Sequence, residues 1–568
     1  MTSNADSPGL YPRFQIGTVS VDEPRPMKVV CIGAGFSGIM TGARYLKEVP
    51  NVELTIYEKE AGVGGVWYNN KYPGVACDIP SHSYQIPFEN NTQWSSFYAP
   101  GEEIRGYIQG MVKRHDLTQH IRLGHELLSA QWDPIAAKWR LHIRLADSAD
   151  EMDDDADVLV VCTGILNRWS WPNIDGLGEF RGTVVHSAQR EAWEQGTEDW
   201  ADKTIGVIGA GSSAIQIVPA LQPKVKRVIN YVRSPTWVCA PWGPPRLNEL
   251  VNRDGNDEEY IFTDEDREKF KDEKYYRWFR HELEMEMTSA HHLMSPDSEM
   301  QKSAKEFFKT DMRNKLAKKP WIAEYLIPEF AVGCRRLTPG PGYLKALCED
   351  NVDFVRSDIK HITPTGIETV DGQHRDVDVI VCATGFDTSF QWPFTILGRN
   401  STTIQEKFSP HPVTYLGVCV DGFPNMFIVG GPNASQTTAS FLTFLDRQAM
   451  YSVQATLKLQ RERLRSIEVK REAVEDFDEY LETYFPTTVH AQHCPTWFKR
   501  GANGKRVVCL WPGSGLHGIR ALTHPRWEDF DYERMNGIRN RMHWLGDGQT
   551  YAEKTMEGDR AWYLKEYM

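Results

Sequence analysis

Two glycine-rich loops could each cradle the pyrophosphate of a dinucleotide. They occupy residues 33–38 (GAGFSG) and 209–214 (GAGSSA). Each follows an apolar strand pattern and precedes a helical pattern, the context in which glycines turn tightly and let the backbone approach phosphate. The alternative is a pair of tight strand-to-helix turns without ligands. The predicted nucleotide contacts are Gly33, Gly35, Ser37, Gly38, Gly209, Gly211, Ser212 and Ser213.

The residues that follow the two loops predict two different dinucleotides. Glu58 ends the strand pattern NVELTIYE, about 20 residues after the first loop, where a carboxylate can accept hydrogen bonds from a ribose 2′-OH. Arg233, followed by Ser234, takes the equivalent place after the second loop. A guanidinium suits a 2′-phosphate. The sequence therefore predicts FAD or NAD at the first loop and NADPH at the second.

Strand patterns on either side of the second loop indicate how the two units are connected. One strand pattern, DADVLVVCTG, ends at Gly164, and a similar pattern, VDVIVCATGF, occupies residues 377–386. These two segments cross between the units, so we predict that the second unit is inserted into the first. The expected fold is α/β, with two Rossmann-like dinucleotide-binding domains, the NADP domain inserted in the FAD domain, and a helical subdomain.

Changes in composition along the chain predict the domain boundaries. Between Pro245 and Pro328 the sequence is charged and helix-spaced, which indicates a helical subdomain over the cleft. Its predicted packing face consists of Tyr275, Trp278, Phe279 and Leu283. The predicted divisions are a loosely packed N-terminal arm (1–26), an FAD-binding domain (27–165 and 384–568), an NADP-binding domain (166–244 and 329–383) and the helical subdomain (245–328).

Composition and charge exclude several classes of protein. The net charge of −13 argues against binding to nucleic acid or to anionic membranes. No apolar run approaches the ~20 residues of a membrane span, and the polar N-terminus lacks a signal pattern, so we expect a soluble cytoplasmic protein. The ten cysteines include no CxxC pair, so we expect no disulfides and no dithiol relay. The 17 histidines include no HExxH, so we expect no metal.

A glycine- and aromatic-rich segment then identifies a family. Residues 64–78 (GGVWYNNKYPGVACD) resemble the flavin-binding signature of type I Baeyer–Villiger monooxygenases, [A/G]GxWxxxx[F/Y]P[G/M]xxxD, at every specified position. Tyr84 also falls where that family places a flavin-contacting tyrosine. The resemblance implies flavin-side roles for Gly65, Val66, Trp67, Asp78 and Tyr84.

Two further segments resemble the same family. In GCRRL (333–337), the resemblance implies that Arg336 is the catalytic cation, oriented by Asp78, and that Arg335 helps Arg233 to bind the 2′-phosphate. Without that resemblance, an Arg-Arg pair is as easily read as two surface charges. In CPTWF (494–498), the resemblance implies that Trp497 faces nicotinamide and substrate. A lone tryptophan is otherwise a core residue.

The linker between the two nucleotide units departs from the family pattern. The signature FxGxxxHxxx[W/Y/F] appears as FRGTVVHSAQR (180–190), where Arg190 replaces the closing aromatic residue. Trp193, one helical turn further on, is a candidate substitute. We predict a structural role for His186, since a lone linker histidine usually hydrogen-bonds to backbone.

The resemblance implies an FAD- and NADPH-dependent monooxygenase. It would insert one oxygen atom from O₂ beside a ketone carbonyl, through a C4a-peroxyflavin, to give an ester or lactone. Arg336 keeps its charge near neutral pH and would stabilise the developing oxyanion. The 18 tryptophans and the helical cap favour a bulky natural-product ketone. The alternatives are a flavin-dependent N- or S-monooxygenase, an NADPH oxidase or reductase without oxygenation, and a non-catalytic flavoprotein.

Overall fold

The computed structural model describes residues 14–566, apart from 147, 149, 240–243, 252–259, 437, 439, 501–503, 536 and 537. Residues 1–13 of the predicted N-terminal arm and 252–259 of the predicted helical subdomain therefore lie outside the described residues.

The strands are β1 (Met27–Ile32), β2 (Val52–Glu58), β3 (Ile121–Leu123), β4 (His125–Asp133), β5 (Lys138–Leu145), β6 (Glu151–Ala156), β7 (Val158–Val161), β8 (Thr183–His186), β9 (Thr204–Ile208), β10 (Arg227–Tyr231), β11 (Val238–Cys239), β12 (Thr338–Pro339), β13 (Val352–Val355), β14 (Ile359–Thr363), β15 (Gly366–Thr369), β16 (His374–Asp376), β17 (Val379–Cys382), β18 (Thr395–Leu397), β19 (Met426–Ile428), β20 (Leu464–Val469), β21 (Lys499–Arg500), β22 (Arg506–Val507) and β23 (Phe530–Arg534).

The α-helices are α1 (Phe36–Glu48), α2 (Val66–Asn69), α3 (Gly101–Arg114), α4 (Arg190–Trp193), α5 (Ser212–Leu221), α6 (Pro244–Val251), α7 (Asp264–Lys269), α8 (Glu273–Ser289), α9 (Glu299–Lys315), α10 (Pro320–Leu326), α11 (Tyr343–Leu347), α12 (Ile404–Lys407), α13 (Phe441–Arg461), α14 (Arg471–Tyr484), α15 (Gly515–Ala521) and α16 (Tyr551–Thr555).

The first sheet has five parallel strands in the order β19-β7-β1-β2-β3. The first glycine loop connects β1 to α1 at the carboxyl edge of this sheet. A Cβ at Gly33 would lie 2.8 Å from the Cys162 carbonyl oxygen, and Gly33 has φ +106°. A Cβ at Gly38 would lie 1.8 Å from the Gly33 carbonyl oxygen. Only glycine therefore allows the helix to start this close to the strand.

The second sheet repeats this plan with five parallel strands in the order β13-β10-β9-β17-β8. Its glycine loop connects β9 to α5. All five strands fall between β7 and β19 in sequence, so the second unit is inserted into the first. The predicted α/β fold with two Rossmann-like domains is confirmed.

Helices α7 to α10 form most of the described part of the helical subdomain. The packing face of α8 differs from the prediction, because Tyr276, Phe279 and Leu283 are buried whereas Trp278 is 45% exposed. The spacing of three and four residues places these three side chains on one helical stripe. The Tyr276 hydroxyl lies 2.9 Å from Nδ1 of the fully buried His82, which joins α8 to the first domain.

The described part of the N-terminal arm contacts the C-terminal segment. Ser20 is fully buried, Val21 N–H donates to the Gln549 carbonyl at 3.1 Å, and Tyr551 N–H donates to the Asp22 carboxylate at 2.6 Å. These bonds hold residues 20–22 in place, so the loose packing expected for the arm is wrong here. None of the helices in the described ranges is long and apolar enough to cross a bilayer.

Candidate active site

A cavity of about 1630 Å³ lies between the two nucleotide-binding domains and the helical subdomain. It touches both glycine loops, the 64–78 segment and the 333–337 segment. Of the predicted site residues, only Gly38 is outside the lining, because it packs against Gly33 within the first glycine loop. The lining includes Gly33, Gly35, Ser37, Glu58, Gly65, Val66, Trp67, Asp78, Tyr84, Gly209, Gly211, Ser212, Ser213, Arg233, Ser234, Arg335, Arg336 and Trp497.

Glu58 closes the first glycine loop. Its carboxylate accepts hydrogen bonds from Ala34 N–H at 2.7 Å and Glu60 N–H at 3.0 Å, and the residue is only 6% exposed. Burial raises the pKa of Glu58, while the two N–H groups oppose that shift. Each carboxylate oxygen retains acceptor capacity towards the cavity. A glycine cradle beside this carboxylate fits the pyrophosphate and ribose of an adenine dinucleotide.

Three aromatic rings form a wall beside the first loop. Trp67 Nε1–H donates to the Tyr84 hydroxyl at 3.2 Å, and the ring of Tyr84 meets that of Phe36 edge to face at 5.3 Å. All three side chains line the cavity. Phe36 was not among the predicted site residues, although its place inside the glycine loop was a usable signal. Flat apolar rings of this kind suit a planar ring system such as a flavin.

The 64–78 segment is fastened to the second domain through α5. A Cβ at Gly74 would lie 2.7 Å from the Gln216 carbonyl oxygen, so this contact requires glycine. The Tyr72 hydroxyl donates to Gln216 Oε1 at 2.9 Å, and Gln216 Nε2–H donates to the Ala76 carbonyl at 2.9 Å. Gln216 was not among the predicted site residues, because no spacing rule connects a helix residue to a loop about 140 residues earlier.

Asp78 and Arg336 form a bidentate pair across the two domains. Arg336 Nε–H donates to Asp78 Oδ2 at 2.7 Å, and Nη2–H donates to Oδ1 at 2.5 Å. The side chain of Arg336 is 32% exposed, and that of Asp78 is 16% exposed. Burial acts to lower the pKa of Arg336, but the Asp78 carboxylate outweighs it and the net pKa is raised. The guanidinium is therefore a permanent cation at the cavity wall.

A second pair of cations lies near the second glycine loop. Arg233 and Arg335 both line the cavity, and burial, followed by the like charge of Arg233, lowers the pKa of Arg335. Arg335 Nη1–H donates to the Pro235 carbonyl at 3.0 Å. In the part of the chain that the structure describes, no carboxylate lies within ion-pair distance of either guanidinium. Two adjacent unneutralised guanidinium groups fit a phosphate monoester such as a ribose 2′-phosphate.

A disulfide joins the Arg336 segment to the Trp497 segment. Cys334 and Cys494 are bonded, with their Cα atoms 6.3 Å apart. The expectation of no disulfides is therefore wrong. The two cysteines are 160 residues apart in sequence, so only the tertiary fold brings them together. Cys31, Cys162 and Cys382, which the sequence placed in buried strands, are buried and free.

In the linker segment, His186 has the backbone contact that was predicted for it, and Arg190 and Trp193 have different surroundings. Ala188 N–H donates to His186 Nδ1 at 3.1 Å, and burial lowers the pKa of this histidine to about 4, so it is neutral and structural. The guanidinium of Arg190 lies 4.5 Å from the centre of the Tyr68 ring. Trp193 is buried instead, and its Nε1–H donates to the His186 carbonyl at 2.9 Å. Arg190 therefore contacts the flavin-signature segment itself.

Similar proteins are known from sequence and from structure. Residues 31–100 match the model of an NAD(P)-binding Rossmann-like domain. The FAD-binding monooxygenase tazF of Aspergillus terreus is 39% identical over 546 residues, which cover 95% of this chain and 95% of the relative. A Baeyer-Villiger monooxygenase of Pseudomonas aeruginosa is 30% identical over 505 residues, which cover 88% and 90%.

Two solved structures have the same overall architecture. An oxidised steroid monooxygenase bound to NADP superimposes with a TM-score of 0.74 at 26% identity, covering 90% of this chain and 100% of the other. Cyclohexanone monooxygenase from Rhodococcus sp. Phi1 bound to NADP⁺ gives a TM-score of 0.76 at 25% identity, with the same coverage.

These comparisons confirm the predicted enzyme class and both cofactors. The two cofactors also fit the cavity, which contains both glycine cradles, Glu58 and the paired arginines. The chain therefore belongs to the family of FAD-binding monooxygenases that includes the Baeyer–Villiger monooxygenases, and it is an NADPH-dependent flavoprotein oxidoreductase.

Proposed function

We propose that this enzyme converts a ketone into an ester or lactone by inserting one oxygen atom from O₂ beside the carbonyl. The observation that carries the proposal is the Asp78–Arg336 pair, which lies in one cavity with both nucleotide loops. The name of the Pseudomonas relative supports the same reaction. We also propose that a bulky natural-product ketone is the substrate, since the cavity of about 1630 Å³ exceeds the ~300–1,000 Å³ of an ordinary ligand pocket.

When bound, FAD and NADPH would supply the redox chemistry that oxygen insertion needs. The chain supplies a cation, Arg336, at the cavity wall. A guanidinium has five N–H donors, and Asp78 occupies two of those of Arg336. The remaining three can donate to an oxygen that becomes negative when the carbonyl carbon turns tetrahedral. Such a preorganised donor stabilises the transition state more than the neutral ketone.

Asp78 has a positioning role in this proposal. Its two oxygens hold both edges of the guanidinium fork, so the Arg336 side chain keeps one orientation. Asp78 belongs to the first domain, whereas Arg336 belongs to the segment between α10 and β12. The cation is therefore held at the boundary between the two nucleotide loops.

Apolar side chains make the rest of the cavity suitable for excluding water. Met287, Leu293 and Met294 reach it from the helical subdomain, and Phe441 and Trp497 reach it from the first domain. Water would donate protons to reactive oxygen species and would weaken the field of Arg336. A dry wall beside a fixed cation suits oxygen transfer better than the release of hydrogen peroxide.

The test is to incubate the purified holoenzyme with NADPH, ¹⁸O₂ and a panel of cyclic ketones. We expect esters or lactones that contain one ¹⁸O atom. Hydrogen peroxide as the sole oxygen product, with every ketone, would contradict the proposal and indicate an NADPH oxidase. Oxygenation of added amines or sulfides, with every ketone unchanged, would indicate a heteroatom monooxygenase.

The Arg336→Ala variant tests the residue that carries the proposal. It should still retain flavin but form less ester by about 10²- to 10³-fold, the usual cost of removing one oxyanion donor. Arg336→Lys is the matched control, because it keeps the charge and loses the planar fork. Normal ester formation by the alanine variant would refute the role of Arg336.

A further inference from the structure

The side chain of Gln436 presents an unpaired amide to the cavity. Both its Nε2 and Oε1 atoms are buried, and neither has a hydrogen-bond partner among the described residues. Gln436 is part of the cavity lining. Buried polar groups in native proteins are nearly always paired, so an amide with both ends free at a ligand cavity indicates a polar ligand group.

The backbone just before Gln436 is tied to the C-terminal segment. Ser435 N–H donates to the Cys509 carbonyl at 2.9 Å, and Trp511 N–H donates to the Ser435 carbonyl at 2.8 Å. These bonds attach the loop that follows β19 to the C-terminal segment. The backbone from which the Gln436 side chain extends is thus anchored by the fold, which favours a recognition role.

The same bonds place Gln436 on the Trp497 side of the cavity. The Cys509 thiol donates to the Trp497 carbonyl at 3.3 Å, so the segment that holds Ser435 also holds the predicted substrate-facing tryptophan. The loop starts near the first glycine loop, where a Cβ at Gly430 would lie 3.0 Å from Ser37 Oγ. Gln436 lies six residues further along the chain.

Apolar as well as polar side chains line the cavity that Gln436 borders, among them Phe441, Leu445 and Phe498. Because both atoms of the Gln436 amide are buried, a ligand that leaves them unpaired is penalised. Gln436 therefore has the properties of a specificity determinant.

We propose that Gln436 recognises a hydroxyl group on the substrate, remote from the reacting carbonyl. A hydroxyl can accept from Nε2–H and can also donate to Oε1, so it is the simplest group that matches both ends of the amide. The substrate class is then a bulky ring ketone that carries a hydroxyl group. This inference rests on the proposed function and narrows it.

The experiment compares 2-tetralone with its ring-hydroxylated isomers, using the wild-type holoenzyme, Gln436→Met and Gln436→Glu. Methionine has a similar length and no hydrogen-bonding amide, whereas glutamate keeps only the accepting oxygens. The measurements are the Kd of each ketone by isothermal titration calorimetry and kcat/KM for ester formation. The flavin spectrum and the rate of flavin reduction by NADPH without ketone are recorded for each variant.

We expect one hydroxylated isomer to bind the wild-type enzyme more tightly than 2-tetralone. Gln436→Met should weaken its binding and lower its kcat/KM by about 10- to 100-fold, while the values for 2-tetralone change less than about threefold. For the hydroxylated isomer, the affinity and kcat/KM of Gln436→Glu should lie between those of the wild-type enzyme and those of Gln436→Met. The flavin spectrum and the rate of flavin reduction should stay unchanged.

Several results would overturn the inference. Equal losses for 2-tetralone and for all hydroxylated isomers would show that Gln436 does not read the hydroxyl. A changed flavin spectrum or reduction rate would assign the amide to a cofactor. If the wild-type enzyme forms no ester but the Kd differences appear as expected, the recognition role stands and the proposed reaction fails. If esters form without any hydroxyl preference, the proposed reaction stands and the recognition role of Gln436 fails.

Discussion

Replacing Asp78 with asparagine removes one charge from the cavity and changes almost nothing in shape. In the wild-type protein the carboxylate accepts two hydrogen bonds from Arg336, at 2.7 and 2.5 Å. The asparagine amide can accept only one, and its NH₂ group would face a guanidinium N–H, so two donors would meet. Arg336 keeps its charge, but its orientation is no longer fixed by two bonds.

The size of the effect follows from the burial of the pair. Opposite charges 4 Å apart attract by about 4 kcal/mol at an effective dielectric constant of about 20. The side chains are 16% and 32% exposed, so solvent screens part of this attraction. We expect a loss of about 2 to 3 kcal/mol in the alignment of Arg336. That loss corresponds to a decrease of about 30- to 150-fold in ester formation, at 1.36 kcal/mol for each factor of ten.

The assay measures three quantities on the same sample: NADPH consumed, ester formed and hydrogen peroxide released. Asp78→Asn should lower the ester formed per NADPH and raise the peroxide. Asp446→Asn is a matched control, because Asp446 makes a buried bidentate pair with Arg44, at 2.7 and 2.9 Å, and neither residue lines the cavity. That variant should lose stability and keep its product ratio.

The reasoning is refuted if Asp78→Asn keeps the wild-type ratio of ester to peroxide. It is also refuted if both asparagine variants change this ratio equally, since the effect would then reflect general destabilisation and not the orientation of Arg336.

Three further predictions concern the disulfide, the linker and one buried histidine. Alkylation in denaturant without reductant should label eight cysteines, and reduction should raise this to ten; ten labelled without reduction would exclude the Cys334–Cys494 bond. Arg190→Ala, which loses the cation–π contact with Tyr68, should raise KM for NADPH about two- to fivefold, and Arg190→Trp should restore it; an unchanged KM in the alanine variant would count against this contact. Burial lowers the pKa of His490 to about 4 in the folded protein, against about 6.5 in the unfolded chain. Between these pH values the unfolded state binds more protons than the folded state. The free energy of unfolding therefore falls as the pH drops from 6.5 to 4. His490→Gln should lessen the fall in the urea midpoint between pH 7 and pH 5, and an unchanged pH dependence would contradict the assignment.

Local sequence was sufficient for much of the fold, and all but one of the site residues predicted from it line the cavity. The first glycine loop, Glu58 and the 64–78 segment are each contiguous patterns whose geometry follows from neighbouring residues. The packing face of α8 was predicted correctly at Phe279 and Leu283, but Tyr276 is buried in place of Trp278. Several aromatic residues fall close together in this helix, and its periodicity alone does not separate them. Gln216 was missed, since it bonds to a segment about 140 residues earlier in the chain. Phe36 was missed although its place inside the glycine loop was a local signal.

The sequence by itself determined the two nucleotide loops, the charges that follow them and the family signature, because these depend on backbone freedom and side-chain chemistry over short stretches. Tertiary structure alone decided the contacts between distant segments. It joined Cys334 to Cys494, placed Arg190 on Tyr68 and left the Gln436 amide unpaired at the cavity. Contacts of this kind depend on how the domains pack against each other, and no local spacing encodes that packing.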